Sequence, residues 1–180
     1  MNQAERYEKE KEISVDHVAT PRYVVEDIYD LINIQSFNQI WLPFNNYDSE
    51  FKLKADELKL QYHATHLFDD LGNDFFVTLP PADCDLMISN PPFSEQNAIL
   101  DRSFYLADAG YIKSFALLLP LATLETETRA NLLEQYADKL CLIIFKKRIK
   151  FIGHKTSFNK ACCWLCYNVE SLADRKIRWI

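Results

Sequence analysis

Short apolar segments alternate with segments of helical periodicity along most of this 180-residue chain. In chain order, the first predicted strands are NQIWLPF, LQYHATHLF, DFFVTL, DLMISN and SFALLLPL, and helical patterns such as SEFKLKADELKL and NAILDRSFYLADAG lie between several of them. This alternation predicts a mostly parallel sheet with helices on both faces. Two further strands, CLIIFKKRIKF and KACCWLCYNV, have no helix between them, which predicts an antiparallel C-terminal hairpin. We therefore expect an α/β fold with a sheet of seven strands.

The composition favours one globular domain. Hydrophobic residues make up 48% of the chain, which is enough for a substantial core, and the length is typical of a single domain. We expect a polar N-terminal arm over residues 1–17 and one domain over 18–180. The sequence has no apolar run long enough to span a membrane and no apolar signal core near its start. We therefore expect a cytoplasmic protein, with no membrane contact and with reduced cysteines.

The net charge of -6 argues against a protein that binds nucleic acid through its overall charge. Any such contact has to come from a local basic patch. The densest patch lies in FKKRIKF, and a smaller one comprises Arg175, Lys176 and Arg178. Such residues can contact phosphates, or they can discourage pairing at a sheet edge. The sequence alone favours neither interpretation.

Five cysteines and four histidines raise the question of a metal site. Cys162, Cys163 and Cys166 are close in sequence, but a zinc site generally needs about four ligands arranged as pairs. These cysteines lie in an apolar run that is typical of a buried strand. His63 and His66 are three residues apart on a predicted strand and point to opposite faces. We therefore expect buried thiols and no metal.

Only three glycines occur in the chain, so it has no glycine-rich phosphate loop. This argues against a nucleotide-binding or nucleotidyl-transfer enzyme. Site candidates follow instead from the sheet, because α/β sheets bind ligands beyond the carboxyl ends of their strands. Those ends are the segments PFNNYDSEF, HLFDDLGNDFF, SNPPFSEQN and LPLATLE.

The segment SNPPFS is the most informative of these strand ends. Asn90 follows an apolar run, and Pro91 and Pro92 end the strand because each lacks an N–H and has φ fixed at about −65°. This stiff backbone can aim the amide of Asn90 and the ring of Phe93 at one bound group. An amide oxygen and a proline carbonyl accept hydrogen bonds from an exocyclic amino group, and an aromatic ring stacks on a planar base. The alternative is a simple strand-ending turn.

Asn-Pro-Pro-Phe in this position resembles the catalytic motif of S-adenosylmethionine-dependent amino-methyltransferases. These include N6-adenine DNA methyltransferases and some RNA and protein relatives. Other segments fall in the family's order, namely Thr20-Pro21, GNDFF and KRIKF. We expect Thr20 and Pro21 to open a helix as its cap and first-turn proline. The full pattern covers residues from about 20 to 165 and is most similar to small phage and mobile-element adenine methyltransferases.

This resemblance implies a Rossmann-like class I methyltransferase fold, with S-adenosylmethionine as cofactor and adenine in DNA as the target, reached by base flipping. It implies a catalytic segment comprising Asn90, Pro91, Pro92 and Phe93. The implied cofactor-binding residues are Thr20, Pro21, Pro43, Phe44, Asn45, Asp48, Asp74, Phe75 and Asn90. The implied substrate-binding residues are Phe93, Ser94, Lys147, Arg148 and Phe151. Phe93 and Phe151 would hold the base from two sides, although an aromatic residue in a strand is also typical of the core.

The segment after the first strand departs from the family, because WLPFNNYDSEF has no glycine where the backbone normally approaches the cofactor. Asn45 and Asn46 tolerate unusual backbone angles and can replace glycine in part. Asp48 and Glu50 offer acceptors for ribose hydroxyls or an ammonium group, and Ser49 can cap the helix that follows. After the second strand, His66, Asp69 and Asp70 are weaker candidates, and the two aspartates are equally typical of a turn before Gly72.

Several alternatives stay open at this stage. The glycine-free segment also suits a methyltransferase fold without catalysis that acts as an interaction module. The same amino-group chemistry also suits an RNA target or a protein glutamine. No insertion of the size of a separate recognition segment is present. Recognition is therefore either short and loose or dependent on a second copy or another partner.

Overall fold

A seven-stranded sheet forms the centre of the computed structural model, which describes residues 19–45, 48–66, 73–152, 160–174 and 176–180. The strands are β1 (Ile40–Pro43), β2 (Tyr62–Thr65), β3 (Cys84–Ser89), β4 (Ile112–Pro120), β5 (Leu140–Ile144), β6 (Cys162–Tyr167) and β7 (Ile177–Trp179). Their order across the sheet is β2-β1-β3-β4-β6-β5-β7. The first four of these strands are parallel, β6 is antiparallel to both β4 and β5, and β7 is parallel to β5. The predicted arm over residues 1–17 lies outside the described residues.

Helices cover both faces of this sheet. They are α1 (Arg22–Leu31), α2 (Glu50–Glu57), α3 (Gln96–Asp108) and α4 (Glu127–Glu134), and single 3-10 turns occupy Ile34–Ser36, Phe93–Glu95, Leu121–Leu124, Ala137–Lys139 and Glu170–Leu172. Helix α1 forms because its apolar residues recur at helical spacing. One face of the helix is buried and consists of Val24, Val25, Ile28 and Tyr29. The Tyr29 hydroxyl donates to the Phe51 carbonyl at 2.9 Å and ties α1 to α2. No described helix is long and apolar enough to cross a membrane.

The core divides into two clusters, one on each face of the sheet. Alternate residues of β4 belong to different clusters, with Leu118 on the face of α1 and α2 and Phe115 on the face of α3. Strands β3 and β6 are buried at every position. The predicted α/β fold with a mostly parallel sheet and an antiparallel β5–β6 hairpin is confirmed.

The prediction of a strand over DFFVTL is wrong, because residues 75–77 form a turn. The Asp74 carboxylate accepts from the Phe76 N–H at 3.0 Å, and the Thr78 N–H donates to the Asp74 carbonyl at 2.8 Å. From α3, Arg102 then donates to the carbonyls of Phe75 at 2.6 Å and Thr78 at 2.9 Å. These local bonds use backbone groups that a strand would need for pairing.

The seventh strand is β7, which the sequence did not predict. It has only three residues, and its partner β5 lies far away in the sequence. The predicted strand CLIIFKKRIKF is also too long, because β5 ends at Ile144. Strand identity here depends on non-local pairing, which a pattern of apolar residues does not record.

The start of α1 differs from the prediction as well. Pro21 occupies the N-cap position with φ −64° and ψ 147°, and no side chain caps the helix. Thr20 is buried beside the helix and does not cap it. Because a proline N-cap needs no hydrogen bond at its own nitrogen, the chain can enter the helix directly from an extended segment.

The cysteines of the CCxxC segment lie inside β6, as buried side chains. Burial raises the pKa of Cys162 and of Cys163 to about 12. A thiol in this state is a poor metal ligand and a poor nucleophile, because both roles require the thiolate. Strand β6 therefore uses its cysteines as small apolar core residues.

Candidate functional site

A cavity of about 270 Å³ opens at the edge of the sheet where β1 and β3 end. Its wall consists of the segment after β1, the first turn of α2, the residue after β3 and the segments around Ala19 and Ile152. The lining residues are Ala19, Thr20, Phe44, Asn45, Asp48, Ser49, Glu50, Phe51, Asn90 and Ile152. The cavity therefore brings together five of the predicted site residues, namely Thr20, Phe44, Asn45, Asp48 and Asn90.

The turn after β1 shows how a glycine-free segment can reverse at this edge. Phe44 has φ 63°, in the left-handed region, which costs about 1–2 kcal/mol for a residue with a Cβ. Its ring packs against Phe75 with the ring centroids 4.7 Å apart, which offsets part of that cost. The sequence assigned the unusual backbone to Asn45 and Asn46. For Asn45 that prediction is wrong, because its φ is not positive, and Asn46 lies outside the described residues.

Asn45 instead stabilises the turn through its side chain, which is buried. Its Nδ2 donates to the Pro43 carbonyl at 2.8 Å and to Ser89 Oγ at 3.1 Å, and its Oδ1 accepts from the Ser49 hydroxyl. The Ser89 hydroxyl also donates to the Pro43 carbonyl. We call these four residues the serine–asparagine lock. Since Ser89 immediately precedes Asn90, the lock joins the end of β1 to the end of β3.

Ser89 was not among the predicted site residues, although the sequence contains a signal for it. It is the one hydroxyl at the end of the apolar run LMIS, and it is fully buried. A buried hydroxyl at a strand end needs a hydrogen-bond partner, and the nearest candidates lie on neighbouring strand ends. Ser49 was predicted to cap α2. It occupies the N-cap position, but its side chain makes no capping bond and joins the lock instead.

Glu50, in the first turn of α2, directs a carboxylate into the same cavity. Its Oε2 atom is buried and accepts no hydrogen bond from the described part of the chain. The nearest cation in the described part of the chain is Arg22, whose Nη1 lies 4.0 Å away, at the limit of an ion pair. A buried carboxylate oxygen that lacks a donor is costly, so this position suits a ligand with a cationic N–H group.

The segment after β3 has the stiffness that its prolines predict. Pro91 is buried, Pro92 is extended with φ −61° and ψ 127°, and a 3-10 turn follows from Phe93 to Glu95. Helix α3 then begins at Gln96. Asn90 lines the cavity, and Ser94 is exposed beyond the turn. The backbone thus changes direction immediately after the strand and presents Asn90 at the sheet edge.

Phe93 and Phe151 lie against each other at this edge. Their ring centroids are 6.4 Å apart at an interplanar angle of 75°, so the contact is edge to face. Both are buried, with exposed fractions of 4% and 7%. The sequence predicted that the two rings would hold a base between them. In this conformation they contact each other directly and leave no parallel slot, so one ring has to move before a base can enter.

The basic segment after β5 reaches the cavity through a backbone contact. The Ile152 N–H donates to the Ala19 carbonyl at 3.0 Å, and the two residues form an isolated antiparallel bridge. Lys147 and Arg148 are exposed upstream of this bridge, whereas Phe151 is buried. The predicted Thr20-Pro21 and KRIKF segments therefore lie side by side. This pairing is not predictable from the sequence, because nothing in either segment specifies the other.

Asp74 and Phe75 do not line the cavity. The Asp74 carboxylate holds its own turn, as described above. Phe75 is buried and stacks on Trp41 with the ring centroids 5.5 Å apart, in addition to its contact with Phe44. Phe75 thus supports the turn after β1 from behind. Of the second-strand candidates, His66 is buried just after β2, and Asp69 and Asp70 lie outside the described residues.

A second cavity, of about 580 Å³, lies at the opposite edge, where β3 and β4 begin. The Asp85 carboxylate at its wall accepts from the Asn38 N–H at 2.9 Å and from the Lys113 ammonium at 2.6 Å. Burial opposes ionisation of Asp85, but these bonds together hold its pKa below the usual range. This carboxylate is fully engaged by the protein. Among the described residues, no group of three or more His, Cys, Asp or Glu side chains is placed to hold a metal ion.

Comparison with solved structures identifies the fold. The chain is similar to a protein from Vibrio vulnificus described as a modification subunit of a type I restriction enzyme, with 14% identity and a TM-score of 0.56. That alignment covers 86% of this chain and 45% of the other. A protein from Listeria monocytogenes described as a class I S-adenosylmethionine-dependent methyltransferase has 13% identity and a TM-score of 0.56, with 92% and 66% of the two chains covered.

The chain therefore has the class I methyltransferase fold, as the sequence predicted. It spans less than two thirds of the length of either of these structures. At such identities the likeness establishes the fold, and function has to be argued from the site. No protein-family model matches the sequence, and no curated protein is significantly similar to it.

Proposed function

We propose that the protein is an S-adenosylmethionine-dependent methyltransferase that modifies the exocyclic N6 amino group of adenine in DNA. The observation that supports this most strongly is the position of Asn90. It follows a buried strand, precedes two stiff prolines and lines the same cavity as the turn after β1. An amino-group acceptor and a cavity lined by polar groups therefore occur together at the carboxyl edge of the sheet.

The cavity fits S-adenosylmethionine in the chemistry of its donors and acceptors. The buried Oε2 atom of Glu50 suits the methionine ammonium, and Asp48 offers an acceptor for ribose hydroxyls. Thr20, Phe44 and Asn45 line its walls, and Pro21 and Pro43 adjoin them in sequence. Phe75 packs against Phe44 from behind the wall, in the turn that Asp74 closes. When bound, the cofactor supplies an electrophilic methyl group on a sulfonium.

Asn90 and the Pro91 carbonyl orient the amino group. Both oxygens accept N–H hydrogen bonds, which fixes the nitrogen and directs its lone pair at the methyl group. As the nitrogen gains positive charge during the transfer, the two acceptors stabilise its protons electrostatically. Pro91 and Pro92 hold the segment stiff, so this arrangement is largely formed before the substrate arrives. The proton is then released from the amino nitrogen to solvent.

The target adenine has to leave its stack before it can reach this edge. We expect it to stack on Phe93 after Phe151 moves aside, since the two rings contact each other without the substrate. Lys147, Arg148 and the exposed Ser94 would contact the phosphates on either side. A DNA substrate agrees with the similarity to a modification subunit of a restriction enzyme, and a partner subunit would supply additional recognition.

The first test is a calorimetric titration of S-adenosylmethionine into the protein and into Glu50→Gln. We expect saturable binding that weakens about 10-fold or more in the variant, because one charge-assisted hydrogen bond contributes about 1.5–3 kcal/mol. Glu134→Gln is the control, since Glu134 is exposed at the end of α4 and does not line the cavity. Absence of binding to the unmodified protein would contradict the enzyme assignment and favour an interaction module.

The second step measures methyl transfer to unmethylated DNA, with the product identified as N6-methyladenine by mass spectrometry. Asn90→Ala is expected to lower the rate by about 100-fold or more, in the range seen when one oriented transition-state contact is removed. Asn97→Ala, on the exposed first turn of α3, is expected to leave the rate unchanged. Transfer to RNA or to a protein glutamine in place of DNA would support methyl transfer to an amino group and would contradict DNA as the substrate.

A further inference from the structure

Charge is distributed very unevenly along the sequence. Residues 1–138 contain 24 acidic and 10 basic residues, a net charge of -14, whereas residues 139–180 contain 2 acidic and 10 basic residues, a net charge of +8. The overall value of -6 therefore conceals a strongly basic region. This region includes β5, β6 and β7, which form one end of the sheet.

Two basic segments meet at this end of the sheet. The Ile180 N–H donates to the Ile144 carbonyl at 3.1 Å, and the Lys146 N–H donates to the Ile180 carbonyl at 2.8 Å. Lys146 and Lys147 therefore continue from β5 beside the end of β7, which carries Arg178. None of the salt bridges within the described ranges involves Lys146, Lys147 or Arg178.

An exposed tryptophan accompanies these cations. Trp179 is 56% exposed, and Ile177, two residues earlier on the same face of β7, is 47% exposed. The other two tryptophans, Trp41 and Trp164, are fully buried. Arg178 lies on the other face of the edge strand β7, and Lys146 and Lys147 are exposed beside its end. A large exposed aromatic side chain close to these cations is unusual for a surface that contacts only water.

This surface lies on the same edge of the sheet as Asn90. Strands β3, β4, β5 and β7 all run in one direction, so Asn90 and Trp179 both lie at carboxyl ends. Four strand spacings separate β3 from β7 in the sheet order, a distance of about 19 Å. One strand of duplex DNA has a phosphate about every 3.4 Å, and an unpaired strand is more extended, so fewer than about six phosphates would span this distance.

We propose that Lys146, Lys147, Arg178 and Trp179, here called the basic edge, bind an unpaired DNA strand that continues from the target adenine. The cations contact phosphates, and the Trp179 indole stacks on a base. An acidic peptide would satisfy the cations, but it would not use the flat face of an exposed indole as every base can. The link to the target adenine rests on the proposed function, whereas DNA binding by the basic edge does not.

The test measures binding of a fluorescently labelled single-stranded DNA oligonucleotide without cofactor. Trp179→Ala is expected to weaken binding about 10-fold, since one base stack is worth about 1–3 kcal/mol. Tyr105→Ala is the matched control, because Tyr105 is equally exposed on α3. In the unmodified protein, DNA should also quench tryptophan fluorescence, and the quenching should disappear in Trp179→Ala because the remaining tryptophans are buried.

Charge reversal tests the phosphate contacts separately. Arg178→Glu combined with Lys146→Glu is expected to weaken binding by about 10-fold or more at low salt and to reduce the salt dependence of the affinity. Lys59→Glu is the control, since Lys59 is exposed just before β2, at the opposite edge of the sheet. S-adenosylmethionine affinity is measured for every variant and is expected not to change.

Unchanged DNA affinity in both basic-edge variants would overturn the proposal, and so would binding of an acidic peptide or of RNA in preference to the DNA. If the Lys59 and Tyr105 control variants lost as much DNA affinity as the basic-edge variants, the proposal would also be overturned. Failure of the unmodified protein to bind S-adenosylmethionine contradicts the proposed function alone, because the DNA titration contains no cofactor. The two conclusions can therefore fail independently.

Discussion

Two turns at the carboxyl edge of the sheet present an asparagine, and they are held in different ways. The turn after β3 is stiff because Pro91 and Pro92 restrict its backbone covalently. The turn after β1 has no glycine, and it contains a strained Phe44 together with the hydrogen bonds of Asn45. Covalent restriction costs little in the folded state, whereas the hydrogen-bonded turn depends on each of its partners. The turn after β1 is therefore more easily disrupted by a single substitution than the turn after β3.

Among substitutions in the two turns, Asn45→Ala should cause the largest loss in the free energy of unfolding. It removes the bonds to Pro43, Ser89 and Ser49 at once, and we expect a loss of about 2–4 kcal/mol in the free energy of unfolding, because buried groups are left without partners. Chemical denaturation measures this change. Asn131→Ala, on the exposed surface of α4, should cost much less.

A double-mutant cycle with Ser89→Ala sharpens the same prediction. Because Asn45 and Ser89 share the Pro43 carbonyl, the two losses should not add, and we expect a coupling of about 0.5–3 kcal/mol. Additive losses would mean that the turns after β1 and β3 are independent. In that case the serine–asparagine lock would not join the cofactor cavity to the segment of Asn90.

The strain at Phe44 predicts which of two variants, Phe44→Gly or Phe44→Ala, is the more stable. Glycine normally destabilises a protein relative to alanine, but at φ 63° alanine keeps the left-handed strain and glycine removes it. Phe44→Gly should therefore be about 1 kcal/mol more stable than Phe44→Ala, although both lose the contact with Phe75. Phe37, which is half-buried at φ −95°, is the control and should show the opposite order. The same order at both positions would show that Phe44 is not strained.

These turns also show what the sequence could predict. Strands β1, β3, β4 and β6 were predictable because each is an apolar run with a buried face, and the turn after β3 was predictable because prolines act locally. The pairing of Ile152 with Ala19 and of Ser89 with Asn45 was not, because each partner is distant in the chain, and neither was the contact of Arg102 with the turn that Asp74 closes. Local rules thus identified Asn90 and offered Glu50 as an acceptor, whereas the serine–asparagine lock required the fold.

The smallest expected effect concerns the prolines of the other turn. Pro92→Ala should lower the free energy of unfolding by only about 0.4–1 kcal/mol, since alanine can adopt φ −61° and the cost arises from a more flexible unfolded chain. Pro81→Ala should cost a similar amount. If the stiff segment orients the amino group, Pro92→Ala should also slow methyl transfer several-fold at unchanged S-adenosylmethionine affinity, and Pro81→Ala should not. Equal rates in the two variants would mean that Asn90 is held by the lock through Ser89, so that both turns depend on the same hydrogen bonds.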